Sequence, residues 1–504
     1  MPATSSEGSL LQDVRLGVVR ATTFGLFGPP EQFVSQARAL GAGIVRVNIY
    51  WSQVEPEPGR FVWDSLDSLL DQLAGDDEAW VTVCCSSPWA TQHPTRWLPA
   101  SPAIDVDRYE RFVRELAGRQ PGRIRFWQCE IEPCLPLFWA GTADQYVAQL
   151  QSFHDAVKLA DPDALVVLGA AVPGAMLGEG AAGAETWARF FGRVLRDGAD
   201  AFDVFDLHPY GDPYSVPQLV HASRAQLAAY GCEKPIVASE HSGPLPTEFP
   251  ENMPYLVDLL AVHQQQFLGE APMPDTLEDI ESAVDEPVVA LYRRMNELPP
   301  TLQMFMHGCA PELDDYRHRL ACRNLVMRTM FALAEGIRRN LYYPIAPEWD
   351  FYRESRVAGV LMFGKLQLMD SDGGVLAHRN PAADTFELLA RLLDGVTQVR
   401  RLAVIDRPDL YVFDAERLHG SPALVVWVRR EDSSDSDDSP SELAWPWPFP
   451  SACAVDAHGR EVPTEIAEGT LHLRVSATPV LIDSVDKDSV TTSGATRRDS
   501  PSTA

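Results

Sequence analysis

The sequence lacks the marks of several protein classes. No run of about 18 apolar residues, the length that spans a membrane, occurs among its 504 residues. The N-terminus has no basic region followed by an apolar stretch, which a secretory signal would require. The eight cysteines form no C-x-x-C pair and most stand in apolar segments, a pattern typical of buried free thiols in a reducing compartment. These absences predict a cytoplasmic protein without a transmembrane segment.

Basic residues are scarce as well. The 42 Lys and Arg residues face 71 Asp and Glu residues, and the net charge of −29 repels phosphate backbones and anionic bilayers, so nucleic acid and membrane surfaces are poor candidate partners. The motifs G-x-G-x-x-G, G-x-x-x-x-G-K-[ST] and H-E-x-x-H are absent, which leaves nucleotide-binding and zinc-protease functions without support. The twelve histidines lack ligand spacing, and His208, His241 and Glu240 form the one metal site considered as an alternative. The sequence therefore predicts neither a metal nor an organic cofactor.

A strand-then-helix rhythm runs through the first 395 residues. Between short apolar runs lie segments with helical spacing, such as Tyr109, Phe112, Val113 and Leu116 at i, i+3, i+4 and i+7. Eight strands that are each followed by a helix predict a (β/α)8 barrel, or TIM barrel, over residues 14–395. The predicted strands are Leu16–Arg20, Ile44–Asn48, Trp80–Cys84, Ile124–Glu132, Leu165–Ala170, Phe202–His208, Pro235–Glu240 and Leu341–Ile345.

The rhythm is interrupted once and then changes. Residues 243–315 are rich in Pro, Glu and Asp and form a segment far longer than the roughly 2–6 residues of a usual βα loop. The segment starts at the C-terminal rim of the barrel, where the active sites of barrel enzymes lie. We interpret this insertion as a partly helical lid or specificity element; a decorative or oligomerising insertion is the alternative. In residues 398–483, apolar and polar residues alternate in short runs, a pattern that predicts a β-sandwich domain. The Ser/Thr/Asp-rich residues 484–504 are predicted to be disordered.

Two glutamates close strands that are otherwise apolar. Strand four ends in Cys129-Glu-Ile-Glu132, and strand seven ends in Glu240. Burying a glutamate at such a position is costly unless the carboxyl is paired or used. In a barrel both strand ends face one cleft, where one carboxyl can protonate a leaving oxygen while the other attacks a carbon. For either glutamate alone, a salt bridge at the rim is the alternative.

Several motifs occur in a recognisable order along the chain. They are Arg46 with Trp51, Glu55-Pro-Glu-Pro-Gly-Arg-Phe, Ser87-Pro-Trp, Arg125-Phe-Trp-Gln-Cys-Glu-Ile-Glu-Pro, Leu137-Phe-Trp-Ala-Gly, Tyr146, Ala160-Asp-Pro-Asp-Ala-Leu-Val-Val-Leu-Gly, Phe205-Asp-Leu-His-Pro-Tyr and Ser476-Ala-Thr-Pro-Val-Leu-Ile. Together they resemble glycoside hydrolase clan A, and most of all family 39, the group of β-xylosidases and α-iduronidases. The resemblance covers residues 18–395 and 398–483. Each motif is moderately specific, and their order is much more so.

The resemblance implies roles for individual residues. Glu132 matches the acid/base and Glu240 the nucleophile of a retaining glycosidase. Arg46 matches an arginine that holds the nucleophile ionised, because a nearby cation lowers a carboxyl pKa, and His208 and Tyr210 match the strand-six pair beside the nucleophile. The candidates for stacking on sugar faces are Trp89, Trp139 and Trp349, with ordinary packing as the alternative for each.

One position departs from the family pattern. The residue before the acid/base is normally an asparagine that bonds the sugar 2-hydroxyl, and here it is Ile131, which cannot do so. Three explanations stay open. The substrate is a 2-deoxy or otherwise modified glycoside; or Glu130, which alternation places on the same strand face as Glu132, takes over part of the role; or hydrolysis has been lost. In the last case the barrel binds a carbohydrate or natural product, or performs non-hydrolytic acid/base chemistry.

Glu130 also bears on the acid itself. Two carboxyls on one strand face would repel each other, which would help to keep Glu132 protonated near neutral pH. A pair between Glu130 and Arg46 or Arg125 is the alternative. The sequence as a whole predicts a retaining glycoside hydrolase for a small or aglycone-bearing substrate, and it leaves the sugar, the anomer and the oligomeric state open.

Overall fold

A computed structural model of the chain describes residues 11–21, 33–172, 181–267, 281–347, 354–372, 375–418, 422–430 and 440–484. The chain forms two compact units, Met1–Glu387 and Leu388–Ala504. Their boundary falls inside the helix Pro381–Leu392, just before the boundary that the sequence suggests. Trp349 and the predicted disordered residues 485–504 lie outside the described residues.

The first unit is built on eight parallel strands. They pair in the order β5-β4-β3-β2-β1-β8-β7-β6, and the bridges Val167–Val204 and Ala171–Leu207 join β5 to β6, so that the sheet closes. The predicted TIM barrel is confirmed. Its strands are β1 Arg15–Arg20, β2 Ile44–Tyr50, β3 Glu78–Cys84, β4 Phe126–Cys129, β5 Leu165–Leu168, β6 Phe205–Asp206, β7 Ile236–His241 and β8 Arg339–Tyr342.

Helices cover the barrel and bury the apolar stripes seen in the sequence. Tyr109, Phe112, Val113 and Leu116 are all buried on one helix face. The helices are Val34–Ala39, Trp51–Val54, Asp64–Gln72, Val106–Ala117, Ala143–Ala160, Ala181–Asp197, Val216–Ala229, Met253–Phe267, Glu286–Arg293, Pro300–Gln303, Pro311–Ala334, Ala358–Phe363 and Pro381–Leu392, and a hairpin of β9 Met369–Asp372 and β10 Val375–Arg379 precedes the last of these. No described helix is long and apolar enough to cross a membrane.

The barrel interior changes from apolar to polar along its axis. One layer of inward side chains is apolar and consists of Ile44, Trp80, Phe126, Val204 and Val237 among others. Two residues further along the same five strands stand Arg46, Thr82, Gln128, Asp206 and Ser239, all of them fully buried. Because strand side chains alternate, both sets point inward, and the polar layer lies nearer to the C-terminal ends of the strands.

The insertion after β7 contains three of the helices named above and packs in a hydrophobic cluster that later helices share. Leu256, Leu259, Val288 and Leu302 pack there in one buried cluster, which also includes Leu361 from the later helix Ala358–Phe363. The residues around 268–280 are outside the described part of the chain. The insertion is therefore partly helical where it is described, and its role as a lid stays a prediction.

The second unit consists of two antiparallel sheets over a shared apolar core. One sheet has the order β11-β12-β13-β18-β15 and the other the order β14-β17-β16, which is the predicted β-sandwich. The strands are β11 Val396–Leu402, β12 Leu410–Arg417, β13 Ala423–Val428, β14 Ser441–Pro446, β15 Cys453–Asp456, β16 Thr464–Ala467, β17 Thr470–Val475 and β18 Val480–Asp483.

Candidate active site

A bulge in β7 brings two neighbouring side chains to the same cleft. The pairing of β7 with β8 shifts by one residue between Ala238 and His241. As a result Ser239 and Glu240 both contact residues at the C-terminal end of the barrel, although alternation alone would turn them to opposite faces. His241 instead contacts Asn340 on β8.

Glu240 is held at the mouth of the barrel by two donors. The Arg46 guanidinium donates to one carboxylate oxygen at 2.8 Å, and the Tyr210 hydroxyl donates to the other at 2.7 Å. All three side chains are buried, so the cation and the hydroxyl compensate a charge that water scarcely reaches. The structure thus brings together the three residues that the resemblance grouped around the nucleophile position.

Glu132 stands opposite, in the turn that follows β4. It is 2% exposed, and one of its carboxyl oxygens lies 2.6 Å from His208 Nδ1. Burial raises the pKa of Glu132, the contact with His208 lowers it, and the charge of Glu240 raises it, so that the net direction is upward. The turn packs tightly on β5, since a Cβ at Gly169 would lie 2.6 Å from a Pro133 ring carbon, and only glycine fits there.

The two carboxyls approach each other closely. One ligand atom each from Glu132, His208 and Glu240 lie within 4.8 Å of one another, a spacing that a metal ion could in principle use. Both Glu240 oxygens, however, already accept hydrogen bonds, and one of the donors is the cation Arg46. His241 is not part of this group, so the metal alternative built on His208, His241 and Glu240 is wrong.

Glu130 does not share a face with Glu132. Strand β4 ends at Cys129, and Glu130 has a left-handed backbone with φ of 63°, so the alternation that the sequence suggested does not reach it. Its carboxyl accepts hydrogen bonds from the Cys85 backbone N–H at 3.0 Å and from Gln149 Nε2 at 2.8 Å. Burial outweighs these two bonds and raises the pKa of Glu130 to about 8.

This placement corrects two expectations about Glu130. Gln149 belongs to the helix Ala143–Ala160, so the carboxyl points between the sheet and its helices and not into the cleft. The expected face shared with Glu132 is wrong for that reason. The Glu130 carboxyl accepts its hydrogen bonds from Cys85 and Gln149, so the expected pair with Arg46 or Arg125 is not formed. Arg46 pairs with Glu240 instead.

The predicted sugar-stacking tryptophans differ in their surroundings. Trp139 is 2% exposed, donates to the Thr142 carbonyl and packs edge-on against Tyr146, an arrangement typical of the core. Trp89 is half-buried, donates to the Glu55 carbonyl at 3.1 Å and lies against Trp51. For these two residues, and for the undescribed Trp349, contact with a sugar stays a prediction.

Ile131, where the resemblance led us to expect an asparagine, is an apolar residue between Glu130 and Glu132. It is 7% exposed, and its backbone carbonyl accepts from the Ala170 N–H on the neighbouring segment at 2.7 Å. The main chain is thereby fixed while the side chain offers neither a donor nor an acceptor.

The sequence did not lead us to predict the polar layer that lies beneath the two glutamates. Asp206 lies 3.5 Å from His208 Nε2 and accepts from Gln128 at 2.7 Å, and Ser239 Oγ lies 3.1 Å from His208 Nε2. A signal was present, because Asp206 stands two residues before His208 and alternation puts both on the inner face.

Comparisons with solved structures identify the fold. No protein-family model and no curated protein matches the sequence. A family 39 glycoside hydrolase from Bacteroides cellulosilyticus matches with a TM-score of 0.57 at 13% identity, over 94% of this chain and 81% of that chain. A glucosidase from Croceicoccus marinus gives 0.55 at 14% identity, over 94% and 97%. A family 30 subfamily 8 xylanase from Clostridium acetobutylicum gives 0.52 at 10% identity, over 94% and 97%.

Identities this low carry information about the fold alone. The matches extend over nearly the whole chain, and therefore over both the barrel and the sandwich. The chain has the TIM-barrel and β-sandwich fold of the clan A glycoside hydrolases, with a family 39 member among its structural neighbours.

Proposed function

We propose that the protein is a retaining glycoside hydrolase. The observation that carries the proposal is the pair Glu132 and Glu240, whose carboxyl oxygens lie within 4.8 Å in two different environments. Retaining glycosidases hold their two carboxyl groups about 5–5.5 Å apart, whereas inverting enzymes leave room for a water between them at roughly 6.5–9.5 Å. The structural neighbours that are named as a glucosidase and a xylanase support the same reaction class.

The surroundings of the two carboxyls support different roles for them. Glu240, which pairs with the Arg46 cation, is the carboxylate that attacks the anomeric carbon. Glu132, whose pKa is raised by burial, protonates the leaving oxygen and then takes a proton from the water that releases the sugar. Tyr210 orients the nucleophile. This mechanism needs neither a metal nor an organic cofactor.

Ile131 favours a substrate without an ordinary 2-hydroxyl. In a typical retaining site the bond to that hydroxyl strengthens in the transition state and supplies several kcal/mol. A 2-deoxy or otherwise modified sugar, or a glycosylated metabolite, would not lose such a bond here. The acidic insertion after β7 favours a small or aglycone-bearing substrate over a polymer.

The test is hydrolysis of a panel of aryl glycosides that includes 2-deoxy sugars. Wild type is compared with Glu132→Gln and Glu240→Gln, and NMR spectroscopy reports the anomer that is released first. Aryl alcohol release that both variants abolish, with retained configuration, is the expected result. Released sugar of inverted configuration would contradict the retaining pair.

The alternative is a barrel that binds a carbohydrate or natural product without cleaving it, or that performs other acid/base chemistry on it. Ile131 is the observation that favours it. A mechanism-based 2-deoxy-2-fluoro glycoside separates the two, because an enzyme forms a covalent adduct on Glu240 that peptide mass spectrometry locates. Sugar binding without an adduct and without turnover would support the alternative.

A further inference from the structure

A chain of directed hydrogen bonds runs through the polar layer below the glutamates. It begins at the Trp80 indole N–H, which can only donate and which reaches Gln128 Oε1 at 3.1 Å. This bond fixes the orientation of the Gln128 amide. Its nitrogen therefore faces the Leu168 carbonyl at 3.1 Å and Asp206 Oδ2 at 2.7 Å. Asp206 is an acceptor at this contact.

The same direction continues to the imidazole. Asp206 also accepts from the Ser239 backbone N–H at 2.9 Å and from the Ser239 hydroxyl. Because the hydroxyl hydrogen is directed at Asp206, an oxygen lone pair is left for His208 Nε2, which lies 3.1 Å away and must carry a hydrogen. His208 Nδ1 is then the nitrogen that exchanges a proton with Glu132, at 2.6 Å.

We propose that Asp206 is a positioning residue that holds His208 in its charged form beside Glu132, so that the proton for the leaving oxygen is kept on the Glu132–His208 pair. In the charged form the proton sits on Nδ1, and it can pass to the Glu132 carboxyl along one short hydrogen bond when the leaving oxygen is protonated. The inference rests on the proposed function of Glu132 as the acid, but the charge of His208 itself does not depend on turnover.

The surroundings of His208 favour the cation. Burial alone lowers the pKa of His208, yet the charge of Glu240 and the contacts with Asp206 and Glu132 outweigh it and raise this pKa to about 9. Burial raises the pKa of Asp206, and the contact with His208 and the charge of Arg46 more than offset this, so its pKa lies below the ordinary value. The titratable and charged groups around the imidazole are Glu132 after β4, Asp206 and Tyr210 on the β6 side, Glu240 and His241 on β7, and Arg46 on β2.

The arrangement has a consequence for catalysis. A lone carboxyl that has lost its proton can no longer act as an acid. Here the pair retains one proton until His208 itself titrates, which extends the working range of Glu132 into alkaline solution. Asp206 contributes to this without touching the substrate, since it is fully buried beneath the imidazole.

The test is an NMR titration of the imidazole nitrogens in protein labelled with 15N-histidine, with His208→Gln used only to assign the signal. In wild type we expect the His208 midpoint above pH 8. In Asp206→Asn, which keeps the shape and an acceptor oxygen but removes the charge, the midpoint is expected to fall by at least one pH unit. If a glycoside is turned over, the alkaline limb of kcat/KM is expected to move with it.

Asp203→Asn is the matched control. Asp203 belongs to the same segment, but its carboxylate faces the Lys158 ammonium at 2.7 Å and the Val166 N–H at 2.8 Å, so the His208 midpoint should not change. A wild-type midpoint below pH 7, or equal midpoints in the two variants, would overturn the proposal. If Asp206→Asn does not fold, a wild-type midpoint below pH 7 still overturns the proposal. If the midpoints behave as expected and no glycoside is cleaved, the proposed function fails while the role of Asp206 stands.

Discussion

Glu130 and Glu132 are two residues apart and both almost fully buried, yet they occupy opposite sides of the barrel wall. Glu132 faces the cleft, where it contacts His208 and lies close to Glu240. Glu130 lies between the sheet and the helices, where its hydrogen bonds come from a backbone N–H and from the amide of Gln149. The two pockets therefore differ in charge and not in depth.

The difference teaches that burial alone does not make a catalytic carboxyl. Around Glu130, burial is opposed only by neutral donors, and its pKa of about 8 means that the group is mostly protonated at pH 7. Around Glu132 and Glu240, the cationic side chains of Arg46 and His208 lie against the carboxyls and compensate their charge. The charged partners therefore distinguish the proposed active site from the pocket of Glu130.

The largest expected contrast is in activity. Replacing Glu132 by Gln removes the proposed acid, and we expect the rate on an aryl glycoside to fall by roughly 10²–10⁴-fold. Replacing Glu130 by Gln should leave the rate within about threefold of wild type, because its carboxyl does not face the cleft. Steady-state kinetics on the three proteins measure both effects. Equal losses of rate in the two variants would show that the Glu130 carboxyl also takes part in the reaction.

We call the surroundings of Glu132 and Glu240 the inner pocket and those of Glu130 the outer pocket. Removing the Arg46 cation from the inner pocket should make it resemble the outer pocket. In Arg46→Met, Glu240 keeps only the Tyr210 hydroxyl as a donor, and we expect a loss of about 3–5 kcal/mol in unfolding free energy from the uncompensated buried charge. The double variant Arg46→Met/Glu240→Gln should regain part of it. Urea denaturation measures the cycle, with Arg119→Met, which breaks a surface pair with Asp67, as a control that should change stability little. No recovery in the double variant would assign the loss to packing alone.

Much of this fold is legible in the sequence because barrel strands are buried on both faces. Ile44–Tyr50, for example, is buried at every position, and five of its seven residues are apolar. The glutamates at the ends of β4 and β7 stand out against such runs, so their selection followed from the cost of burying a carboxyl. The partners Arg46, His208 and Tyr210 came only from the family resemblance.

The remaining features depend on local backbone geometry that alternation cannot foresee. The face of Glu130 depends on the strand ending at Cys129 and on a left-handed residue, a conformation that costs roughly 1–2 kcal/mol in a non-glycine residue. The joint approach of Ser239 and Glu240 depends on a bulge in β7. Alternation along strand six places Asp206 on the same face as His208. From the sequence, Asp206 counted only as part of an apolar strand, and its role was therefore not predicted.

The outer pocket should reveal itself in the pH dependence of stability. Between about pH 4.5 and 8 the folded state keeps the Glu130 proton that the unfolded chain has lost, so the unfolded state binds fewer protons and the unfolding free energy falls as the pH rises. The expected loss from this group is on the order of 5 kcal/mol, nearly complete by about pH 8. His208 changes stability in the same direction from about pH 6.5 to 9, so the comparison needs a variant.

Glu130→Gln isolates the contribution of the outer carboxyl. The amide cannot ionise, and its oxygen can still accept from Cys85 and Gln149. We expect the variant to match wild type near pH 5 and to exceed its unfolding free energy at pH 8, as measured by urea denaturation across this range. Parallel curves for the two proteins would mean that Glu130 titrates in its ordinary range despite its burial.

The smallest expected effect comes from the neutral hydrogen bond that Gln149 donates to Glu130. Gln149→Leu removes one of the two donors to Glu130 Oε1, and the loss of that bond should cost about 1–2 kcal/mol of stability. The cost should grow as the pH rises, since the lost donor favours the ionised form and its absence raises the pKa of Glu130 further. Gln151→Leu, on the same helix and bonded to the Asp197 carbonyl at the surface, should change stability by less than about 0.5 kcal/mol. Kinetics should be unchanged in both, because the helix face that carries Gln149 stabilises the wall of the barrel and not its mouth. A loss of activity in Gln149→Leu at full stability would instead connect the pocket of Glu130 to the cleft through the short segment from Glu130 to Glu132.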